Sequence, residues 1–167
     1  EFPIQVVQPY PTKLKPNDHR ILAQQMDLFS FSDTAPGMVF WHHNGWIIYN
    51  KLIDLLREEQ RKLGYKEVST PQVLDKKLWK ISGHWDKYKE NIFSTKYEGR
   101  DFAVKPMSCP GGILVYKNKP KSYKDFPLKI AEFGCVHRQE LSGVLGGIFR
   151  VIQFTQDDAH IYCKEEQ

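Results

Sequence analysis

The sequence predicts an α+β fold: a mixed, mainly antiparallel sheet flanked by helices. Three observations predict it. Residues 46–63 carry Ile48, Leu52, Leu55, Leu56 and Leu63 at three- and four-residue steps, the spacing of one helix face. Residues 132–140 and 149–160 are rich in apolar and aromatic side chains and flank the Gly-rich stretch Ser142-Gly143-Val144-Leu145-Gly146-Gly147. That is the pattern of two adjacent strands joined by a loop. Shorter alternating runs at 65–70, 92–95 and 102–105 supply further strands.

The elements follow in order. Residues 1–16 hold Pro3, Pro9, Pro11 and Pro16 and read as an extended arm or linker. Asn17 or Asp18 caps a helix reaching about Phe29, with Ile21, Leu22, Met26 and Phe29 on its apolar side. Residues 30–37 form a loop, 38–41 a strand, and His42-His43-Asn44-Gly45 a tight turn. Helix 46–63 stops at Gly64, and strand 65–70 stops at Pro71. Asp75 starts a helix to about Ile81. The strands at 92–95 and 102–105 flank the turn Glu98-Gly99-Arg100. Pro110 occupies the first turn of a helix that continues to about Lys117. This puts Cys109 at a helix N-terminus, where the dipole favours a thiolate. Lys117, Lys119, Lys121 and Lys124 form a basic loop, a solvated turn or a contact for RNA phosphates.

Residues two apart on a strand share a face. Arg138 then lies beside Glu140, and Arg150, Ile152, Phe154, Gln156, Asp158 and His160 line one face of the next strand. Burying such a face is costly unless its groups pair with each other or with a ligand. Guanidinium groups grip phosphates, and an aromatic ring offers a base a stacking surface. A solvated hairpin with surface ion pairs fits the same spacing.

Composition narrows the class. Apolar residues are 41% and charged residues 26%, as in ordinary globular proteins. The net charge of +4 permits RNA contact without requiring it. No apolar run approaches a membrane span, and no signal peptide is visible. The three cysteines form no CxxC pair, which suits a reducing cytoplasm. Cys135 and Cys163 read as core residues.

Residues 132–160 resemble motif 2 of class II aminoacyl-tRNA synthetases: Arg-x-Glu, a loop, then Arg before a hydrophobic strand. Lys105-Pro106-Met107-Ser108-Cys109-Pro110-Gly111 and Phe154-Thr155-Gln156-Asp157-Asp158-Ala159-His160 are similar to segments of the threonyl-tRNA synthetase family. Residues 46–71 resemble motif 1, that family's dimer interface. The resemblance covers about 18–167 and implies a class II synthetase-type sheet as part of a catalytic domain. Residues 17–167 would be a catalytic core holding motifs 1 and 2 and lacking motif 3 and an anticodon-binding domain.

The resemblance implies sites residue by residue. Arg138 and Arg150 would hold the phosphates of ATP together with Mg²⁺. Phe154 would stack on adenine, and Glu140 would position it. Met107, Gln156 and Asp158 would contact threonine. Cys109 and His160 would be two of three protein ligands to Zn²⁺, the third being a histidine further along the family chain. His84, in Gly83-His84-Trp85, would serve transfer to tRNA(Thr), alongside the catalytic Arg138. The implied activity is that of a threonine–tRNA ligase, with ATP, threonine and tRNA(Thr) as partners and a homodimer as the assembly. Departures from the family pattern fall at Ser108, Gly112, Gly146, Ile152 and Gln153. They leave open a synthetase-like protein that binds a nucleotide, an amino acid or RNA without charging tRNA.

Overall fold

A computed structural model describes residues 14–167. Most of the expected N-terminal arm, including Pro3, Pro9 and Pro11, lies outside the described residues. The chain divides into two compact units: residues through Asp54 with Glu140–Gln153, and Leu55–Gln139 with Phe154–Gln167.

In the first unit, α1 (His19–Gln25) starts at Asp18, whose carboxylate accepts from the Arg20 N–H at 3.0 Å. The helix is shorter than expected. Asp27 turns left-handed with φ 55°, and Phe29 becomes part of a strand. Strands β1 (Phe29–Ser30) and β2 (Phe40–Trp41) pair antiparallel, Phe29 opposite Trp41. The buried side of α1 is Ala23, which packs with Phe29, Phe31 and Val151, while Leu22 and Met26 are exposed. Helix α2 (His43–Lys62) also departs from expectation, because His43, Asn44 and Gly45 lie inside it rather than in a turn. The His42 carbonyl already accepts from Trp46 N at 2.8 Å. A Cβ at position 45 would lie 2.0 Å from the Leu28 carbonyl oxygen. Here glycine lets the helix start touch the preceding chain.

The second unit holds β3 (Lys66–Glu67), β4 (Val73–Asp75), α3 (Lys76–Ile81), α4 (His84–Tyr88), β5 (Ser94–Tyr97), β6 (Arg100–Val104), α5 (Cys109–Lys117), β7 (Leu128–His137) and nearly all of β8 (Gln153–Tyr162). One sheet has the order β3-β7-β8, with β3 parallel to β7 and Lys66 opposite Ile130. The other has the order β4-β6-β5 and is antiparallel throughout. This is the expected α+β architecture, with the two long strands adjacent. Asp75 caps α3, accepting from Lys77 N at 2.8 Å. The same residue ends β4, a strand that nothing in the sequence pattern announced. Trp79, Trp85, Ile92 and Ala103 form the core, with Leu74 and Met107 against it.

The long strands are shifted from their expected bounds. β7 ends at His137 and β8 begins at Gln153, so Arg138, Glu140 and Arg150 are not strand residues. Past His137 the backbone is captured by Asn91. Gln139 N donates to the Asn91 carbonyl at 2.9 Å, and the Asn91 side chain donates to the Gln139 carbonyl at 2.8 Å. Before β8, Gly146 N donates to the Arg150 carbonyl at 3.2 Å and closes a turn.

Candidate metal and nucleotide site

Along β8, Phe154, Gln156, Asp158, His160 and Tyr162 are half-buried, while Asp157, Ala159 and Ile161 are exposed. The alternation expected of one ligand face therefore holds from Gln156 to Tyr162, whereas at the start of the strand Gln153 and Thr155 on the opposite face are half-buried as well. Against this face stands Cys109, the first residue of α5. Its position is set by Pro110, which favours a first helical turn, and by the buried Pro110-Gly111-Gly112. Ligand atoms of Cys109, Asp158 and His160 all lie within 4.8 Å of one another. The Sγ is 3.9 Å from Asp158 Oδ2.

The Cys109 thiol is pushed up from its ordinary range, first by burial and then by the Asp158 carboxylate; Arg138 acts in the opposite direction. This corrects the expectation of a thiolate stabilised by the helix start. At this depth, desolvation and a neighbouring anion outweigh the helix amides. Tyr162 stacks on Tyr116 with centroids 4.0 Å apart. Burial raises its phenol too. Neither expected core cysteine is fully buried: Cys135 is half-buried on β7, and Cys163 lies past the end of β8 and is exposed.

Beneath α5 lies a network that sequence reasoning missed. Lys105 is fully buried and Glu132 is 4% exposed. The Lys105 ammonium donates to Glu132 Oε1 at 2.9 Å and to Thr70 Oγ1 at 3.1 Å. Glu132 also accepts from Thr70 N at 2.9 Å. The three residues tie β6, β7 and the segment after β3 together just ahead of Cys109. The available signal was one lysine and one glutamate, each at the end of or inside an apolar run.

The remaining expected residues divide by unit. In the second, the Arg138 guanidinium sits over the Phe154 ring, 5.2 Å from its centroid, and its Nε donates to the Pro106 carbonyl at 3.0 Å. Met107 leans on the tryptophan core. His84 starts α4, hydrogen-bonds Ser82 Oγ at 2.8 Å and lies beside Trp79 and Tyr88. It is not part of the thiol–carboxylate–imidazole cluster. In the first unit, Arg150 donates through Nη2 and Nε to Glu140 Oε2 at 2.9 and 3.2 Å.

Residues 90–167 match the model of the tRNA synthetase class II core domain (G, H, P, S and T). Residues 90–167 belong to this class II core-domain family. The chain is 55% identical over 148 residues to a threonine–tRNA ligase of Saccharophagus degradans, covering 89% of the chain and 23% of the relative. It is 55% identical over 153 residues to that of Natranaerobius thermophilus, covering 92% and 24%. It thus spans about a quarter of their length. Among solved structures, the RNA binding domain of threonyl-tRNA synthetase from Cryptosporidium parvum superposes with TM-score 0.87 at 45% identity, over 90% of this chain and 38% of that one. Giardia lamblia prolyl-tRNA synthetase in complex with prolyl-adenylate superposes with TM-score 0.78 at 23% identity, over 88% and 31%, and shows the shared class II fold.

Proposed function

We propose that this chain is the threonine- and ATP-binding part of a threonine–tRNA ligase. The observation that carries the reading is the meeting of Cys109, Asp158 and His160 on the strand face that also presents Phe154. A thiol, a carboxylate and an imidazole this close are three donors that a bound cation would draw together, the thiol giving up its proton as the metal binds. Sulfur and imidazole nitrogen donors suit zinc. Cys109 and His160 would hold it, and bound zinc would supply open coordination positions that favour a hydroxylated amino acid over valine.

The chain's own residues do the rest. Asp158 faces the threonine ammonium, with Gln156 and Met107 beside the substrate. Phe154 offers its ring to adenine, and Glu140 orients it. Arg138 and Arg150 grip the phosphates, while Mg²⁺ arrives with ATP. A threonine carboxylate oxygen attacks the α-phosphorus and pyrophosphate leaves. No base is needed, since the carboxylate is already ionised. A ribose hydroxyl of tRNA(Thr) then attacks the acyl carbon and AMP leaves, with His84 serving this step. The lysines at 117, 119, 121 and 124 face the tRNA backbone. In α2, Trp46, Ile48, Leu52 and Leu55 are 46–57% exposed, an apolar stripe that a second copy would cover in a homodimer. The setting is the cytoplasm.

A second reading, nucleotide or RNA binding without charging, is favoured by Ile152. It stands where the family has an arginine and is buried against Gly37. Threonine-dependent ATP–pyrophosphate exchange by the full-length protein decides between the two. Exchange and stoichiometric zinc are expected, and both should be lost in Cys109→Ala and His160→Ala. Zinc that survives both substitutions would mean other ligands hold it. ATP binding without exchange would favour the second reading.

A further inference from the structure

The loop 140–153 is fixed at two places by different means. At its base, Val151 packs into the Ala23–Phe29–Phe31 core, and Ile152 N donates to the Gly37 carbonyl at 2.7 Å. At its tip no such burial exists, since Ile148 is 37% and Phe149 84% exposed. What meets the tip is His19, the first residue of α1. Ile148 N–H donates to His19 Nε2 at 3.2 Å, and the imidazole edge meets the Phe149 ring at 4.5 Å between centroids. Gly147 closes the approach: its φ is +56°, and a Cβ there would lie 2.1 Å from His19 Nε2. Accepting at Nε2 leaves the ring proton on Nδ1, which lies 3.5 Å from Asp18 Oδ1. Asp18 is itself held by Arg20 through Nε and Nη2, both at 2.8 Å.

We propose that His19 is a positioning residue that latches the 147–149 turn onto α1 and so orders the loop carrying Glu140 and Arg150. Its effect on ATP rests on the function proposed above; the latch itself does not. A loop that must be ordered when ATP binds lowers apparent affinity by the fraction of time it is open. Removing the latch therefore raises KM for ATP more than it lowers kcat.

The test uses the full-length protein with His19→Phe, His19→Gln and Gly147→Ala. The phenylalanine keeps a ring but loses the acceptor. Glutamine restores an acceptor oxygen near the Nε2 position. Amide exchange at Ile148, read without nucleotide, should speed up about five- to tenfold in His19→Phe, the equivalent of one hydrogen bond. Gly147→Ala should speed it at least as much, and the double variant should add little, because both changes break one contact. His19→Gln should return most of the protection. KM for ATP should follow the same order, with kcat within about twofold of wild type. Unchanged Ile148 exchange in His19→Phe and Gly147→Ala overturns the latch. Faster exchange with an unaltered KM for ATP overturns the positioning role. A wild-type protein with no threonine-dependent exchange fails the proposed function, and Ile148 protection still decides the latch.

Discussion

Lys105 and Glu132 meet in full burial, whereas Cys109, Asp158 and His160 meet half-exposed on the same unit of the fold. In the first cluster each charge is answered: an ammonium, a carboxylate and the Thr70 amide and hydroxyl close on one another. In the second, a carboxylate sits beside a thiol that burial and that same carboxylate keep protonated. One cluster closes on itself through opposite charges; the other does not. On the function proposed above, the first holds the site in place and the second takes the metal.

Breaking the complete cluster should have the largest effect. Lys105→Met leaves Glu132 buried without its cation and should cost about 3–5 kcal/mol in urea unfolding. Adding Glu132→Gln, which removes the charge but still accepts from Thr70, should recover more than half of that. A Lys105→Met cost no larger than that of a surface pair would place the two clusters on the same footing.

The nucleotide residues rank next. Arg138→Ala should weaken ATP binding to the full-length protein by about 1.5–3 kcal/mol in calorimetry, the range for hydrogen bonds to charged groups. Arg57→Ala should not, since Arg57 holds Glu67 on an outer face at 2.7 Å. Equal ATP affinity in the two variants would remove Arg138 from the site.

A smaller change sharpens the comparison within the open cluster. Asp158→Asn removes the anion beside Cys109, so the thiol should titrate lower and alkylate faster near pH 8 than in the unsubstituted protein without metal. An unaltered pH profile of alkylation would mean burial alone raises the thiol.

The smallest effect belongs to Arg57 and Glu67. The Arg57 guanidinium lowers the Glu67 carboxyl from its ordinary range. A carboxyl with a depressed folded value stabilises above its unfolded range, and that stability is lost as pH falls through the folded value. Exposure screens the pair, so Glu67→Gln should cost no more than about 1 kcal/mol at pH 7 and less at high salt.

Much of this was readable from residues, for identifiable reasons. Helix α2 announced itself through its leucine spacing, because side-chain period is a local property. The Asn17-Asp18 pair, of which Asp18 is the cap, and Asp75 marked helix starts through cap chemistry, which is equally local. The alternation of β8 placed Phe154, Asp158 and His160 on one face before any partner was known. The misplaced strand ends have a non-local cause: Arg138 and Glu140 continue an alternating pattern, yet Asn91, far back in the chain, takes the backbone away. Cys109 and His160 could be paired only through family motifs, since nothing in their separation requires contact. Lys105 and Glu132 stayed hidden for the same reason. A lysine closing one strand and a glutamate inside another become a pair only once three separate segments are brought together.

That distance between partners has a consequence in time. Thr70 and Glu132 are 62 positions apart, whereas β5 and β6 turn back on each other at Glu98-Gly99. Closing the longer loop costs about 2 kcal/mol more chain entropy than closing the short one. On this hypothesis the β5–β6 hairpin forms early in refolding and waits while β3 finds β7. A chain emerging from the ribosome would carry β3 for more than sixty residues of synthesis before its partner β7 existed, since Glu67 pairs with Ala131. Pulsed exchange during refolding, showing Thr70 protected as early as the hairpin amides, would reverse that order.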